Sequence, residues 1–231
     1  MISENLHKIQ QEIQDSCALV SRKASEVRLV AVTKSVDSEK TRKIIEAGVT
    51  DCAENRVEKL LEKKQQLADF PEVNWHFIGN LQRRKVKSII NEVDYFHALE
   101  SLKLAQEIQK RAAKTIACFV EVNISGEASK QGIAPDDVVS FIEELQPFDK
   151  INVIGLMTMA PLASSEAEQL NYFHQLKELQ EKIAALHLAH APCTETSMGM
   201  SNDFAVAIQA GATVVRIGTC LLYTSPSPRD T

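Results

Sequence analysis

The sequence has few of the features that mark secreted, membrane-spanning or multidomain proteins. Its N-terminus is polar from Ser3 onward and has no apolar core of a signal peptide. No stretch approaches the roughly 20 apolar residues that a membrane span needs. Only 8 of the 231 residues are glycine and 7 are proline, and no linker rich in them interrupts residues 1–219. The sequence therefore predicts a single cytoplasmic domain over residues 1–219.

Cysteine and positive charge are also limited. The five cysteines are an odd number without a CxxC pair, which in a chain of this length indicates reduced thiols. The formal net charge of -5 disfavours nucleic acids and anionic membranes as partners. A basic run at residues 83–87 is interpreted as the solvated face of a helix. A regulatory protein that binds a protein or RNA partner through this run is the alternative, and salt-dependent binding would test an RNA partner.

Eight short apolar runs, rich in β-branched residues, alternate with longer runs of helical period. Such alternation predicts parallel strands joined by right-handed crossovers, and eight units close most simply into a (β/α)8 barrel. An open doubly wound sheet is the rival fold, but no GxGxxG turn follows the first strand. The predicted strands are Val27–Thr33, Asp51–Glu54, Asn74–Ile78, Tyr95–Leu99, Ile116–Asn123, Asn152–Thr158, Thr194–Ser197 and Val214–Ile217.

The helical pattern predicts one extra helix before the first strand, over residues 3–24. The other predicted helices lie between the strands. They are Asp37–Ala47, Val57–Ala68, Leu81–Asn91, Ser101–Ala113, Asp136–Leu145, Ser165–Leu188 and Asn202–Ala210.

Lys34 is the first candidate for chemistry. Reactive groups of a barrel lie at the C-terminal ends of its strands. Lys34 directly follows the apolar run 29–33, so we expect its amine at this end of the barrel, partly removed from water. Desolvation favours the neutral amine, which can attack an aldehyde to form a Schiff base. On position alone, a lysine that ends a strand and reaches water is the more common case.

Two segments of small residues near the C-terminus favour a ligand with a phosphate group. The segment 197–201 offers a flexible turn with the hydroxyl of Ser201, and the last strand ends at Gly218 and Thr219. Helix N-termini and small-residue turns bind phosphate through backbone N–H groups. An ordinary helix cap at Ser201 or Asn202 is the alternative for the first segment. Together with Lys34 at one rim, the two segments favour a phosphate-bearing aldehyde cofactor.

Three further polar residues lie in or after predicted strands. Arg216 is inward-facing in an apolar strand, so its guanidinium needs an anionic or acceptor partner. The ring nitrogen of pyridoxal 5′-phosphate (PLP) is a candidate acceptor, and an arginine there would keep the ring a weak electron sink. Asn55 ends the second strand, where contact with the cofactor and a helix cap are equally plausible. His76 is interpreted as a hydrogen-bonded core histidine rather than as a catalytic base.

Ordered motifs over residues 3–219 resemble the PLP homeostasis protein family, whose members are similar to the barrel domain of alanine racemase. The motifs are residues 31–34, 54–56, 75–82, 122–126, 155–158, 197–201 and 211–219. The resemblance implies a type III PLP barrel with the cofactor as a Schiff base on Lys34. It implies these further cofactor-binding residues: Ser201, Gly218 and Thr219 at the phosphate, Arg216 at the ring nitrogen, and Asn55 beside the ring.

The resemblance also implies a role in storing PLP or delivering it to recipient enzymes, without conventional turnover. A PLP-dependent amino-acid racemase is the alternative, and it needs an acid/base group on each face of the substrate carbon. Lys34 would serve one face. In alanine racemases the opposite base comes from an additional domain and a dimer partner, so we expect a monomeric carrier.

The sequence departs from the family pattern at two places. Asn80 stands where the family usually has histidine, so no role is transferred to it. After Thr219 the family continues with an apolar pair and a glycine, whereas this chain ends in a segment with two prolines and several hydroxyl residues. We expect residues 220–231 to be a disordered tail of foreign sequence outside the domain.

Overall fold

Eight parallel strands form a closed barrel in the computed structural model, which describes residues 1–128 and 131–223. Each strand pairs with its neighbour in chain order, and the last pairs with the first in the register Arg28↔Val214. This confirms the predicted (β/α)8 barrel, and every strand boundary lies within two residues of the prediction. The strands are β1 Arg28–Val32, β2 Asp51–Glu54, β3 Asn74–Phe77, β4 Tyr95–Leu99, β5 Ile116–Glu121, β6 Ile151–Met157, β7 Glu195–Ser197 and β8 Val214–Ile217.

Helices precede β1, connect the strands and follow β8. Within the described ranges, none is long and apolar enough to cross a membrane. Short 3-10 segments cover Ala24–Glu26, Arg83–Lys85 and Pro135–Asp137. The α-helices are α1 Ile2–Ala18, α2 Ser38–Glu46, α3 Val57–Gln66, α4 Val86–Ile89, α5 Leu102–Arg111, α6 Val138–Glu144, α7 Glu166–Ala184, α8 Phe204–Gln209 and α9 Thr219–Leu222.

Several helices are shorter than the periodicity predicts. The first helix ends at Ala18, and Ser21 then adopts a left-handed φ of 58° that a helix cannot contain. The helix α8 begins at Phe204 rather than at residue 202. Its start is delayed because the carboxylate of Asp203 accepts a hydrogen bond from the backbone N–H of Met200 at 2.7 Å, closing a turn before the helix.

The barrel interior is unusually polar. Its apolar cluster consists of Val30, Val32, Ala53, Phe119, Met157 and Val214, while the larger core lies between the strands and the helices. The remaining interior space holds buried polar side chains from β2, β3, β4, β5, β7 and β8. Barrel interiors are normally filled by layers of branched apolar residues. Buried polar groups are costly unless they are hydrogen-bonded, so this interior requires a connected network.

The chain stays folded beyond Thr219. The helix α9 packs against α1, and both Leu221 and Leu222 are buried. The side chain of Asn5 donates to the backbone carbonyls of Leu221 and Tyr223, at 3.1 Å each. The predicted disorder is thus wrong for residues 220–222, because two leucines precede the first proline at position 226 and can be buried. Residues 224–231 lie outside the described residues.

Candidate cofactor site

A cavity of about 230 Å³ opens at the C-terminal ends of the strands, here called the C-terminal face of the barrel. Sites for drug-sized ligands span about 300–1,000 Å³, so this cavity suits one small molecule. Three of the predicted site residues line it, namely Lys34, Asn55 and Arg216. The other lining residues are Val32, Ile78, Gly79, Asn80, Glu121, Gln131, Met157, Met159 and Met200.

Lys34 follows β1 and is anchored through the residue before it. The carbonyl of Thr33 accepts a hydrogen bond from Lys63 Nζ at 2.5 Å, and Lys63 forms a buried ion pair with Glu54 at 2.7 Å. The hydroxyl of Thr33 also donates to the Glu54 carboxylate. These bonds tie the end of β1 to β2 and α3. The expected desolvation of Lys34 is not found, because the chain leaves the strand at the rim and the side chain is exposed.

Arg216 enters the cavity from β8 and is 3% exposed. Its guanidinium donates to Ser197 Oγ at 2.5 Å and to the carbonyl of Thr158 at 3.1 Å. Burial lowers the pKa of Arg216 to about 10, although the carboxylates of Asp203 and Glu121 oppose this shift. Arg216 therefore remains protonated at neutral pH, and its acceptors are the hydroxyl and carbonyl groups that the sequence reasoning required.

The three residues predicted to bind phosphate meet beside the cavity. Ser201 Oγ accepts hydrogen bonds from the backbone N–H groups of Gly218 and Cys220, at 3.3 Å each. Thr219 begins α9 and is exposed. Ser201 does not cap α8, which begins at Phe204. The structure thus brings a hydroxyl and backbone donors together, next to the cavity rather than in its lining.

Asn55 follows β2 and is half-buried at the cavity. The loop after β3 passes close to it at Gly79. A Cβ atom at Gly79 would lie 2.4 Å from the backbone oxygen of Asn55, so this approach of the two loops requires glycine.

Glu121 is a cavity residue that the sequence reasoning missed. It ends β5 and is 5% exposed. Burial raises the pKa of Glu121 to about 7, with a further rise from Glu100 and an opposing effect of Arg216. A charged residue directly after an apolar run is the same signal that identified Lys34. The predicted strand continued to Asn123, which hid the position of Glu121 at the strand end.

His76 is completely buried, as expected of a core histidine. Its Nε2 lies 2.8 Å from Asp51 Oδ1, and its Nδ1 lies 2.8 Å from Nε2 of His97. His97 is a second interior residue that the sequence reasoning did not identify, and its Nδ1 lies 2.9 Å from Ser197 Oγ. These contacts connect the histidines to the partner of Arg216.

Comparison with known proteins agrees with the fold. The family "Alanine racemase, N-terminal domain" matches residues 5–226. The pyridoxal phosphate homeostasis protein of Aquifex aeolicus is 37% identical over 94% of this chain and 96% of that protein. The protein of the same name from Pseudomonas aeruginosa is 35% identical over 95% of this chain and 94% of that protein.

Solved structures also resemble this chain. PipY of Synechococcus elongatus, solved with and without PLP, is 28% identical over 96% of this chain and 100% of its own, with TM-scores of 0.83 and 0.86. An alanine racemase of Clostridium difficile shares the fold at 17% identity and a TM-score of 0.74, over 98% of this chain but only 58% of the racemase. The matched family and the curated relatives, which align along nearly their whole length, show that this chain belongs to the pyridoxal phosphate homeostasis protein family.

Proposed function

We propose that this protein binds PLP in the cavity at the C-terminal face, holds it as a Schiff base on Lys34, and stores or delivers it without conventional turnover. The observation that carries the proposal is the placement of a primary amine, Lys34, and a buried guanidinium, Arg216, on one small cavity. The names of the relatives and the PipY structure with PLP support the same assignment.

The donor set fits the functional groups of PLP. The amine of Lys34 is the group that can bond the aldehyde carbon. The guanidinium of Arg216 carries only donors, so it would hydrogen-bond the ring nitrogen and keep it unprotonated. The amide of Asn55 can bond the ring hydroxyl. Bound PLP supplies an electron sink, and an unprotonated ring nitrogen makes that sink weak, which suits a carrier better than an enzyme.

The phosphate would lie beside Ser201, Gly218 and Thr219. The hydroxyl of Ser201 and the backbone N–H of Gly218 already converge on each other. A phosphate at this place could accept hydrogen bonds from the Ser201 hydroxyl and the Gly218 N–H, and the exposed hydroxyl of Thr219 is adjacent in the chain. This arrangement supports a phosphate next to the cavity lining.

An absorbance spectrum tests the central proposal. Wild-type protein mixed with PLP should show a visible band that borohydride bleaches, and mass spectrometry should then map the reduced adduct to Lys34. The variant Lys34→Ala should lose both signals, while Lys40→Ala, which changes a lysine outside the cavity lining, should keep them. A protein that stays colourless with added PLP, or an adduct that persists in Lys34→Ala, would contradict the proposal.

A PLP-dependent racemase is the second candidate function, and Glu121 is the observation that favours it. A carboxyl group with a pKa of about 7 on the same cavity as Lys34 has the proton affinity of an acid/base group. Incubation of the PLP-loaded protein with L- or D-alanine in deuterated water separates the two functions. We expect no deuterium at the α-carbon, and formation of the deuterated opposite enantiomer that disappears in Glu121→Gln would establish the racemase instead.

Delivery predicts transient contact with enzymes that need PLP. The loaded protein should reactivate the cofactor-free form of such an enzyme, and the Lys34→Ala variant mixed with the same PLP concentration should do no better than free PLP.

We further expect a cytoplasmic monomer with no nucleic-acid or membrane partner. Sedimentation analysis tests the monomer directly.

A further inference from the structure

A continuous series of hydrogen bonds runs through the barrel interior. We call it the polar chain and define it as Asp51, His76, His97, Ser197 and Arg216, contributed by β2, β3, β4, β7 and β8 in that order. The four successive contacts measure 2.8, 2.8, 2.9 and 2.5 Å. All five residues are at most 3% exposed. Such burial makes every unmade hydrogen bond costly, so the polar chain is stable only when each of its residues has its hydrogen-bond partners.

The polar chain joins the two faces of the barrel. Arg216 lines the cofactor cavity at the C-terminal face. At the other end, Asp51 lines a separate cavity of about 450 Å³ at the N-terminal face, together with Arg28 and Glu195. Arg28 donates to Asp51 at 2.9 Å. A change at the N-terminal face can therefore reach the cofactor site through a few hydrogen bonds.

The proton positions along the polar chain follow from its ends. A guanidinium only donates, so Ser197 Oγ must accept from Arg216 and can then donate to Nδ1 of His97. A neutral His97 then carries its proton on Nε2 and donates it to Nδ1 of His76. His76 in turn donates from Nε2 to the carboxylate of Asp51. Every donor thus points from Arg216 toward Asp51, and both histidines are neutral.

The surroundings of the polar chain favour these charge states. Burial lowers the pKa of His76, and burial, with His76 and Arg216 adding, holds the pKa of His97 well below its usual range. Burial acts to raise the pKa of Asp51, but hydrogen bonds from His76 and Arg28 bring it below its usual value. The other charged groups near the chain are Asp94 beside His76, and Glu121 and Asp203 beside Arg216.

We propose that Asp51, His76, His97 and Ser197 are positioning residues that hold Arg216 in place for the ring nitrogen of the cofactor. The inference rests on the proposed PLP site. Ionised Asp51 selects the Nε2–H tautomer of both histidines. Ser197 then donates to His97 and is left as an acceptor for the guanidinium. If the hydrogen bonds ran in the reversed direction, from Asp51 toward Arg216, His97 would donate to Ser197 as well. The hydroxyl proton would then need a third partner, and the described part of the chain provides none for Ser197 Oγ.

The variant Asp51→Asn tests the positioning role at the end of the polar chain that lies farthest from the cofactor. An asparagine amide can donate to His76 Nε2 and so allows the reversed order, as substitution of the aspartate in a catalytic triad selects the wrong histidine tautomer. Glu195→Gln is the matched control, since it removes a carboxylate from the same cavity without touching the polar chain. We expect Asp51→Asn to raise the Kd for PLP roughly tenfold, the equivalent of about 1.4 kcal/mol. The Kd of Glu195→Gln should stay within about twofold of wild type.

Two spectroscopic readouts separate positioning from a general loss of structure. The ¹⁵N shifts of His76 and His97 in the cofactor-free protein should show the Nε2–H tautomer in wild type and a shift toward Nδ1–H in Asp51→Asn. The ¹⁵N shift of labelled PLP should report a changed environment of the ring nitrogen in Asp51→Asn alone.

His97 provides a second pair of variants in case Asp51→Asn folds poorly. Glutamine at this position keeps an acceptor and a donor, whereas phenylalanine keeps only the ring contact with Phe119, whose centroid lies 4.4 Å from that of His97. His97→Gln should therefore retain tighter PLP binding than His97→Phe. Equal PLP affinity and equal ring-nitrogen shifts in wild type, Asp51→Asn and His97→Phe would overturn the positioning role. Wild type that binds no PLP would refute the proposed function, and the histidine tautomers would still decide the direction of the polar chain.

Discussion

Glu121 places a titratable carboxyl group on the cavity that Lys34 and Arg216 line. Its pKa is raised to about 7, first by burial and then by the neighbouring Glu100. The charge of the cavity therefore changes close to neutral pH. Lys34 and Arg216 supply positive charge to the same space, so the ionisation of Glu121 decides how positive the site is.

The variant Glu121→Gln should change how PLP binding depends on pH. PLP is anionic, so ionisation of Glu121 as the pH rises through 7 should weaken binding in wild type. Glu121→Gln cannot ionise and should bind PLP with a flatter profile between about pH 6 and 8, with a difference of up to about tenfold. Titration followed by absorbance measures both profiles, with the exposed Glu92→Gln as control. Identical profiles for wild type and Glu121→Gln would show that this carboxyl group does not sense the ligand.

At the scale of elements, the short helix α9 closes the barrel domain against α1. Its two leucines are buried, although the segment that follows departs from the family pattern. The side chain of Asn5 in α1 donates to the carbonyls of Leu221 and Tyr223 at the end of this helix. This junction lies next to Gly218 and Thr219, so it also supports the proposed phosphate site.

Removal of one leucine from α9 should therefore cost much of the stability of the domain. We expect Leu221→Ala to lower the free energy of unfolding by about 2–5 kcal/mol, because it leaves a cavity in the core. The matched control is Leu162→Ala, whose side chain is 92% exposed and whose loss should cost less than about 0.5 kcal/mol. Urea unfolding of the two variants and wild type measures both. If Leu221→Ala proved as mild as Leu162→Ala, α9 would not be part of the cooperative fold.

At the scale of the whole molecule, the polar chain makes the barrel interior sensitive to acid. His76 and His97 are buried in their neutral forms, with pKa values lowered by burial. An unfolded histidine has a pKa of about 6.5. Below that pH the unfolded chain binds protons that the folded protein does not, so each such histidine reduces stability as the pH falls, by at most about 1.4 kcal/mol per pH unit.

The variant His97→Phe isolates one of these contributions. At neutral pH it should be less stable than wild type, because His76 and Ser197 each lose a hydrogen-bond partner. As the pH falls below about 6.5, wild type should lose the contribution of His97 while the variant has none to lose, so the difference should shrink. Urea unfolding between about pH 7.5 and 5.5 tests this. The exposed His174→Phe should show no such convergence, and a constant difference for His97→Phe would mean that His97 is not held neutral.

Much of the fold was predictable because its signals are local. Runs of four to eight residues marked all eight strands, and the rule that active groups follow barrel strands singled out Lys34, Asn55 and Arg216, which do share one cavity. Helix ends were less predictable. They depend on the conformation of single residues, such as the left-handed φ of Ser21, or on single side-chain hydrogen bonds, such as that of Asp203. Apolar periodicity does not report either feature.

By itself, then, the sequence determined the barrel, the order of its elements and the position of Lys34 at the end of the first strand, since each depends on neighbours within a few positions. Only the tertiary structure decided which distant residues meet. The bond between His97 and Ser197 joins residues 100 positions apart, and the pairing of Arg28 with Val214 closes the barrel. Closure excludes water from the interior. Without water, Asp51, the two histidines, Ser197 and Arg216 must satisfy one another, and that physical requirement creates the polar chain.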